Sequence, residues 1–115
     1  MKEKFQVLFL EEAAAFLDNL NEKARDKVIY NIQKARFSND KELFRKLQDE
    51  IWEFRTIFNK THYRLFAFWD KSEKMETVVI STHGIIKKTD KTPVAELEKA
   101  MKIRKIYFER KNNER

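Results

Sequence analysis

Arg55 and Arg64 flank the dipeptide Asn59-Lys60 in the stretch IWEFRTIFNKTHYRLFAFW. If that dipeptide turns a β-hairpin through a loop of even length, Arg55 stands opposite Arg64, Ile57 opposite His62 and Glu53 opposite Phe66. Like charges placed directly across two strands destabilise a sheet. A guanidinium pair in that position has two explanations. Glu53 neutralises it as a structural ion pair, or the pair holds an external anion such as phosphate, which guanidinium matches bidentately at any working pH. The only two histidines, His62 and His83, are side chains that titrate near neutrality and can transfer protons. Three lysines follow His83, at positions 87, 88 and 91, between the single glycine, Gly84, and the single proline, Pro93. That segment reads as a short basic loop hinged by Gly84 and Pro93, or as a solvated connection with incidental lysines.

The elements that must position these groups follow from periodicity. Lys4–Leu10 is short, apolar and β-prone and opens the chain as a strand. From Glu11 the spacing of Ala13, Ala14, Phe16, Leu17 and Leu20 becomes helical. Asn21 then caps a second helix with Ala24, Val28, Ile32 and Ala35 on one face. Ser38-Asn39-Asp40 is a turn signal. The period next switches to two over Ile51–Phe58, His62–Trp69 and Glu76–Ile85, a three-strand meander. Thr92 caps a last helix, with Pro93 at its first position and Val94, Leu97, Met101 and Phe108 on one face. The expectation is an α+β fold in the order β-α-α-β-β-β-α. A small, mainly antiparallel sheet is covered on one face by a helical hairpin, and a C-terminal helix completes the chain. Residues 1–110 form one domain and 111–115 a frayed charged tail.

Alternation puts Trp52, Phe54, Phe58, Tyr63 and Leu65 on the face toward the helices, and Glu53, Arg55, His62 and Arg64 on the other. A second hairpin centred on Ser72-Glu73 sets Arg64 against Ser81 and His62 against His83. Arg55, Arg64, Ser81 and His83 then cluster. A single bulge in the third strand would change the face of His83.

Composition narrows the classes. Among 115 residues there is no cysteine, so disulfides, thiol nucleophiles and cysteine metal sites are excluded. Two histidines without cysteine make a poor metal ligand set, and no metal or cofactor is expected. The net charge of +6, from 25 basic and 19 acidic residues, favours RNA, DNA or an acidic protein segment as partner over ordinary solubilising charge alone. No apolar run approaches the roughly 20 residues of a membrane span, and the five-residue apolar patch near the N-terminus is too short for a signal-peptide core. A cytoplasmic protein is expected.

The ordered set Glu53-Phe54-Arg55, Tyr63-Arg64, His83-Gly84, Lys87-Lys88 and Thr92-Pro93, ending in ELEKA, resembles the RelE/ParE superfamily of toxins from bacterial type II toxin–antitoxin pairs. It is most similar to the HigB-like, phage-derived branch, over about residues 46–101. Phe54 stands where that branch often has Leu, and Ile85 where it often has an aromatic. The resemblance implies a RelE-like fold and a ribosome-dependent mRNA endonuclease that inhibits translation without a metal. It also implies a cognate antitoxin, of helix-turn-helix, HigA-like type in many pairs. Metal-free RNA cleavage uses the 2′-hydroxyl as nucleophile and needs a base, positive charge on the phosphorane and an acid for the leaving oxygen. Arg55 and Arg64 suit the charge role. His83 or Lys87 suits proton transfer, with a satisfied sheet histidine as the bland alternative for His83. Lys88, Lys91, Lys46 and His62 suit backbone contacts with RNA. Two other classes stay open: a ParE-like inhibitor of DNA gyrase, and a non-catalytic RNA- or protein-binding module on the same fold.

Overall fold

Turn chemistry organises the sheet. Asn59 and Lys60 both adopt left-handed backbone (φ 51° and 61°), the type I′ geometry that matches strand twist in a two-residue hairpin. It joins β3 (Ile51–Phe58) to β4 (Thr61–Asp70) in the expected register, with Arg55 across from Arg64, Ile57 from His62 and Glu53 from Phe66. The computed structural model describes residues 3–72 and 78–114. It contains β1 (Gln6–Phe9), α1 (Glu11–Asp18), α2 (Glu22–Ala35), β2 (Phe44–Gln48), β3, β4, β5 (Val78–Lys87) and α3 (Val94–Asn113).

The sheet is mixed, ordered β1-β5-β4-β3-β2, with β1 parallel to β5 and the other pairs antiparallel. The α+β class and the helical hairpin agree with the sequence reading, but there is one strand more. β2 was not expected, because its residues FRKLQ mix charge with no β-branched position. The Asp49-Glu50 turn that pairs it with β3 carries no glycine, and Asp49 takes the left-handed conformation (φ 52°) without one.

The second hairpin also departs from expectation. His62 pairs with Lys87 rather than His83, a slide of four residues (87 − 83), and Arg64 pairs with Ile85. The Glu73 half of the expected loop centre lies outside the described residues. A β-bulge at Thr82, between the Phe66–His83 and Ala67–Ser81 pairs, adds a second shift. An even slide keeps His83 on the face of Arg64. The bulge moves Ser81 to the opposite face, beside Ala67, so Ser81 does not join the arginines.

Gly84 is not a hinge. It sits inside β5, and a Cβ there would lie 2.4 Å from Cδ2 of Phe16, so its bare backbone seats an α1 ring. Thr92 does not cap α3; the N-cap position is Pro93, and Thr92 Oγ1 donates to Glu53 Oε2 at 3.4 Å. Asn21 does cap α2, its Oδ1 accepting from Ala24 N at 2.9 Å.

Helices pack on both faces. The α1/α2 hairpin brings Ala13, Leu17, Val28 and Ile32 onto Phe54, Leu65 and Ala67. On the other face α3 sets Leu97 and Ala100 on Ile51, Phe66, Phe68 and Ile80. Val94 and Met101, expected on the inner face of α3, are exposed. The far end of α3 is tied down by Asp70, which accepts from Tyr107 Oη at 2.5 Å and Lys111 Nζ at 2.7 Å. Helix therefore continues through the first residues of the segment expected to fray.

Candidate functional site

Glu53, in the middle of β3, is fully buried, and three arginines surround it. Arg45 Nε lies 3.2 Å from its Oε1, Arg55 Nε 3.3 Å from the same oxygen, and Arg64 Nε 3.8 Å from Oε2. Arg64 is itself fully buried and Arg55 nearly so. One carboxylate cannot balance three guanidiniums, and a second one arrives from the loop after β5. Asp90 Oδ1 accepts from Arg55 Nη2 at 2.8 Å and also bonds Arg64 Nη2, bridging the pair. Its own side chain is 62% exposed. Arg55 holds the Asp90 carboxyl below the usual carboxylate range. Glu42, mostly exposed, reaches Arg55 Nη1 at 3.6 Å.

The guanidiniums are not saturated. Arg55 Nε and Arg64 Nε and Nη1 are buried and, among the described residues, make no hydrogen bond, the two Nε atoms facing Glu53 as ion pairs without hydrogen-bond geometry. Lys87 Nζ is also buried and, among the same residues, makes no hydrogen bond. Register explains why it is close by: Lys87 stands across from His62, whose Nδ1 is 3.3 Å from Arg64 Nη2. Burial, then the charge of Arg64, push the Lys87 ammonium below the ordinary lysine range. Burial likewise lowers Arg64, against the opposing pull of Glu53. The arrangement is a cationic socket with unused donors and a lysine that sheds its proton more readily than usual.

His83 sits elsewhere on the same face. Its ring stacks on Phe66 with centroids 4.9 Å apart, and it is 2% exposed beneath the first turns of α3. Its Nδ1 is 2.9 Å from Thr82 Oγ1 and its Nε2 is 3.5 Å from Glu96 Oε1. Burial and Lys99 lower its pKa, with Glu96 and Glu12 pulling the other way. The fold thus brings together Arg55, Arg64, His62 and Lys87, and holds His83 apart from them under α3. Lys88 and Lys91 are exposed on the loop that carries Asp90. Lys46, exposed on β2, stands across from Trp52 and so on the aromatic side of the sheet. Among the described residues no three His, Asp or Glu side chains converge to hold a metal ion, and no helix is long and apolar enough to cross a membrane.

The model of the family described as "Phage derived protein Gp49-like (DUF891)" matches residues 15–105. The chain belongs to this Gp49-like family. The family is of RelE/HigB toxin type, and a toxin of a toxin–antitoxin pair is consistent with it. No curated protein matches the chain. The matched span contains every candidate residue from Lys46 to Lys91 of the Gp49-like chain, and also the two that sequence reasoning missed, Arg45 and Asp90. Arg45 was hidden with the unexpected strand β2. Asp90 had a faint signal, an acid set between Lys88 and Lys91 in a segment read for its bases.

Proposed function

We propose that this Gp49-like chain is the toxin of a type II pair and a ribosome-dependent mRNA endonuclease working by metal-independent attack of a 2′-hydroxyl. The supporting observation is the buried Arg55–Arg64 pair with donors left over, next to a lysine of lowered pKa. In this reading the scissile phosphate takes the place of the Asp90 carboxylate. Two of its oxygens meet the guanidiniums, whose charge offsets that of the phosphorane. Neutral Lys87 removes the 2′-hydroxyl proton. The 2′-oxygen bonds to phosphorus, the P–O5′ bond breaks, and the proton passes to the 5′-oxygen. The products are a 2′,3′-cyclic phosphate and a 5′-hydroxyl. His62 steadies Arg64, and His83 acts as a positioning residue under α3. Lys88, Lys91 and Lys46 draw in the RNA backbone. A cognate antitoxin covers this cationic surface in the resting pair.

The test is induction of wild type, Arg64→Ala, Lys87→Ala and His83→Ala in a bacterial host, with mapping of mRNA 5′ ends. Wild type is expected to arrest growth with new in-frame cuts on translated messages. Arg64→Ala and Lys87→Ala should abolish the cuts, whereas His83→Ala should retain some. Arrest without cuts sinks the nuclease reading and moves attention to gyrase. A pH–rate profile adds a sign: with neutral Lys87 as base, the rate rises with pH and levels off below the ordinary lysine range.

A further inference from the structure

The β2 edge of the sheet carries a groove of about 760 Å³, within the range of small-ligand sites. It lies between the residues leading into β1, the 38–42 loop and the ends of β2, β3 and β4. Both tryptophans of the chain line it. Trp52 and Trp69 meet edge to face with centroids 5.7 Å apart, and Trp52 stacks on Phe44 at 4.9 Å. Each indole is half-buried, leaving part of its surface to the groove. The rim is cationic: five Lys and Arg side chains line it against two carboxylates, a surplus of three. Lys71 Nζ adds a cation 5.2 Å from the Trp69 ring centre. One end of the groove is Arg55, which also belongs to the arginine socket, and Arg45 is shared in the same way.

These features select an occupant. An apolar peptide would leave the cations without partners. A bare polyphosphate would leave the indoles in water. A single-stranded nucleic acid satisfies both, its bases stacking on aromatic rings while its phosphates follow the cations. Trp52 is three residues from Arg55 along β3, about 10 Å at strand rise. Three residues put them on opposite faces, so a short strand reaches both round the β2 edge, where Arg45 and Arg55 line the groove and also meet Glu53.

We propose that this groove is a base-stacking subsite for single-stranded RNA, holding a nucleobase of the strand whose phosphate enters the Arg55–Arg64 socket. The assignment rests on the RNA reading of that socket and supplies the contact by which neighbouring bases are gripped.

Because Trp52 and Trp69 are the only tryptophans, tryptophan emission excited at wavelengths that tyrosine does not absorb reports the groove. The probe is a mixed-sequence 2′-O-methyl RNA heptamer, which cannot be cut. An abasic phosphodiester chain of equal charge is the control, and binding is followed in parallel by anisotropy of an end label. The heptamer is expected to quench the emission saturably. The abasic chain should bind about tenfold more weakly and leave the emission unchanged. Trp52→Phe keeps a ring on Phe44, and should retain the quench from Trp69 while weakening binding a few-fold. Lys41→Ala with Lys46→Ala should weaken binding and leave the limiting quench intact. If the abasic chain binds as tightly as the heptamer, or the heptamer binds with no change in emission, the base subsite is wrong while the arginine socket stands. If Arg64→Ala removes mRNA cuts but the heptamer fails to bind at millimolar concentration, the subsite is again overturned and the nuclease reading survives. Absence of cuts in wild type removes both.

Discussion

On the face covered by α1 and α2, the sheet buries Phe54, Leu65, Ala67 and Val79 under Ala13, Leu17, Val28 and Ile32, with aromatic rings continuing through Phe44 and Phe5. On the face covered by α3, the same strands bury Phe66, Phe68 and Ile80 only in the middle. One end of that face holds Glu53 with its arginines, and the other holds Asp70 with Tyr107 and Lys111. The first face is held by volume and apolar area, which tolerate small shape changes. The second is held by fixed charges, where removing one partner leaves another buried and unpaired. Among the described residues, the buried donors of Arg55 and Arg64 that make no hydrogen bond lie on the second face.

The sharpest break in this contrast comes from matched substitutions at neighbouring positions of β3. Glu53→Gln strips the buried counter-charge from three guanidiniums and should cost about 3–5 kcal/mol in urea unfolding. Phe54→Ala on the opposite face should cost a similar 3–5 kcal/mol through a cavity. High salt separates them, since only the deficit of Glu53→Gln should change with ionic strength. Equal salt response in both variants would refute the division between the faces.

Asp70 tests the far end of the charged face. Its carboxyl is held well below the ordinary aspartate value by Lys111, Ser72 and Tyr107, which outweigh burial. A depressed folded pKa gives stability that is present above the unfolded value of about 3.9 and is lost as pH falls through the folded one. Asp70→Asn should lose about 1.5–3 kcal/mol at pH 7 and flatten the acid limb of the stability curve below about pH 4. An unaltered acid limb would mean that Asp70 does not anchor α3.

Gly84→Ala sharpens the hairpin face. The added methyl meets the Phe16 ring, and α1 must shift, for a loss of about 1–3 kcal/mol. Phe16→Leu in the same chain should recover part of it, and a simple sum of the two losses would argue against direct contact. The smallest stability change belongs to Asp90→Asn, about 1 kcal/mol, because the carboxylate is exposed although both guanidiniums it bridges are buried. Affinity of the socket for RNA should nevertheless rise, since the internal carboxylate no longer competes. Weaker binding by that variant would show Asp90 to be a substrate contact.

Much of this architecture was legible because local chemistry and tertiary need coincide. Asn59-Lys60 fixed the β3–β4 register, and with it the Arg55–Arg64 pair; Asn21 announced the start of α2. What was lost depended on longer connections. The β4–β5 register follows a loop whose length the turn residues do not define, and a bulge at Thr82 has no glycine to mark it. Periodicity put Arg55, Arg64 and His62 on one face correctly, yet it could not tell that α3 would close over His83. Nor could it show that a loop read for its lysines would deliver a carboxylate to the arginines.

The parallel pairing of β1 with β5 has a consequence in time. Gln6 pairs with Val78, 72 positions later (78 − 6), and β5 lies between β1 and β4 in the sheet. At roughly 5–20 residues per second of synthesis, β1 waits about 4–14 s for its partner to be made. The β2–β3–β4 meander, with Arg55 and Arg64, can close before then. The strand that carries Lys87, and the loop that brings Asp90, come afterwards. Such distant pairing slows folding. The cationic socket is therefore assembled in halves, and the nascent chain acquires Lys87 and the internal carboxylate of Asp90 together, after the strands that carry both arginines.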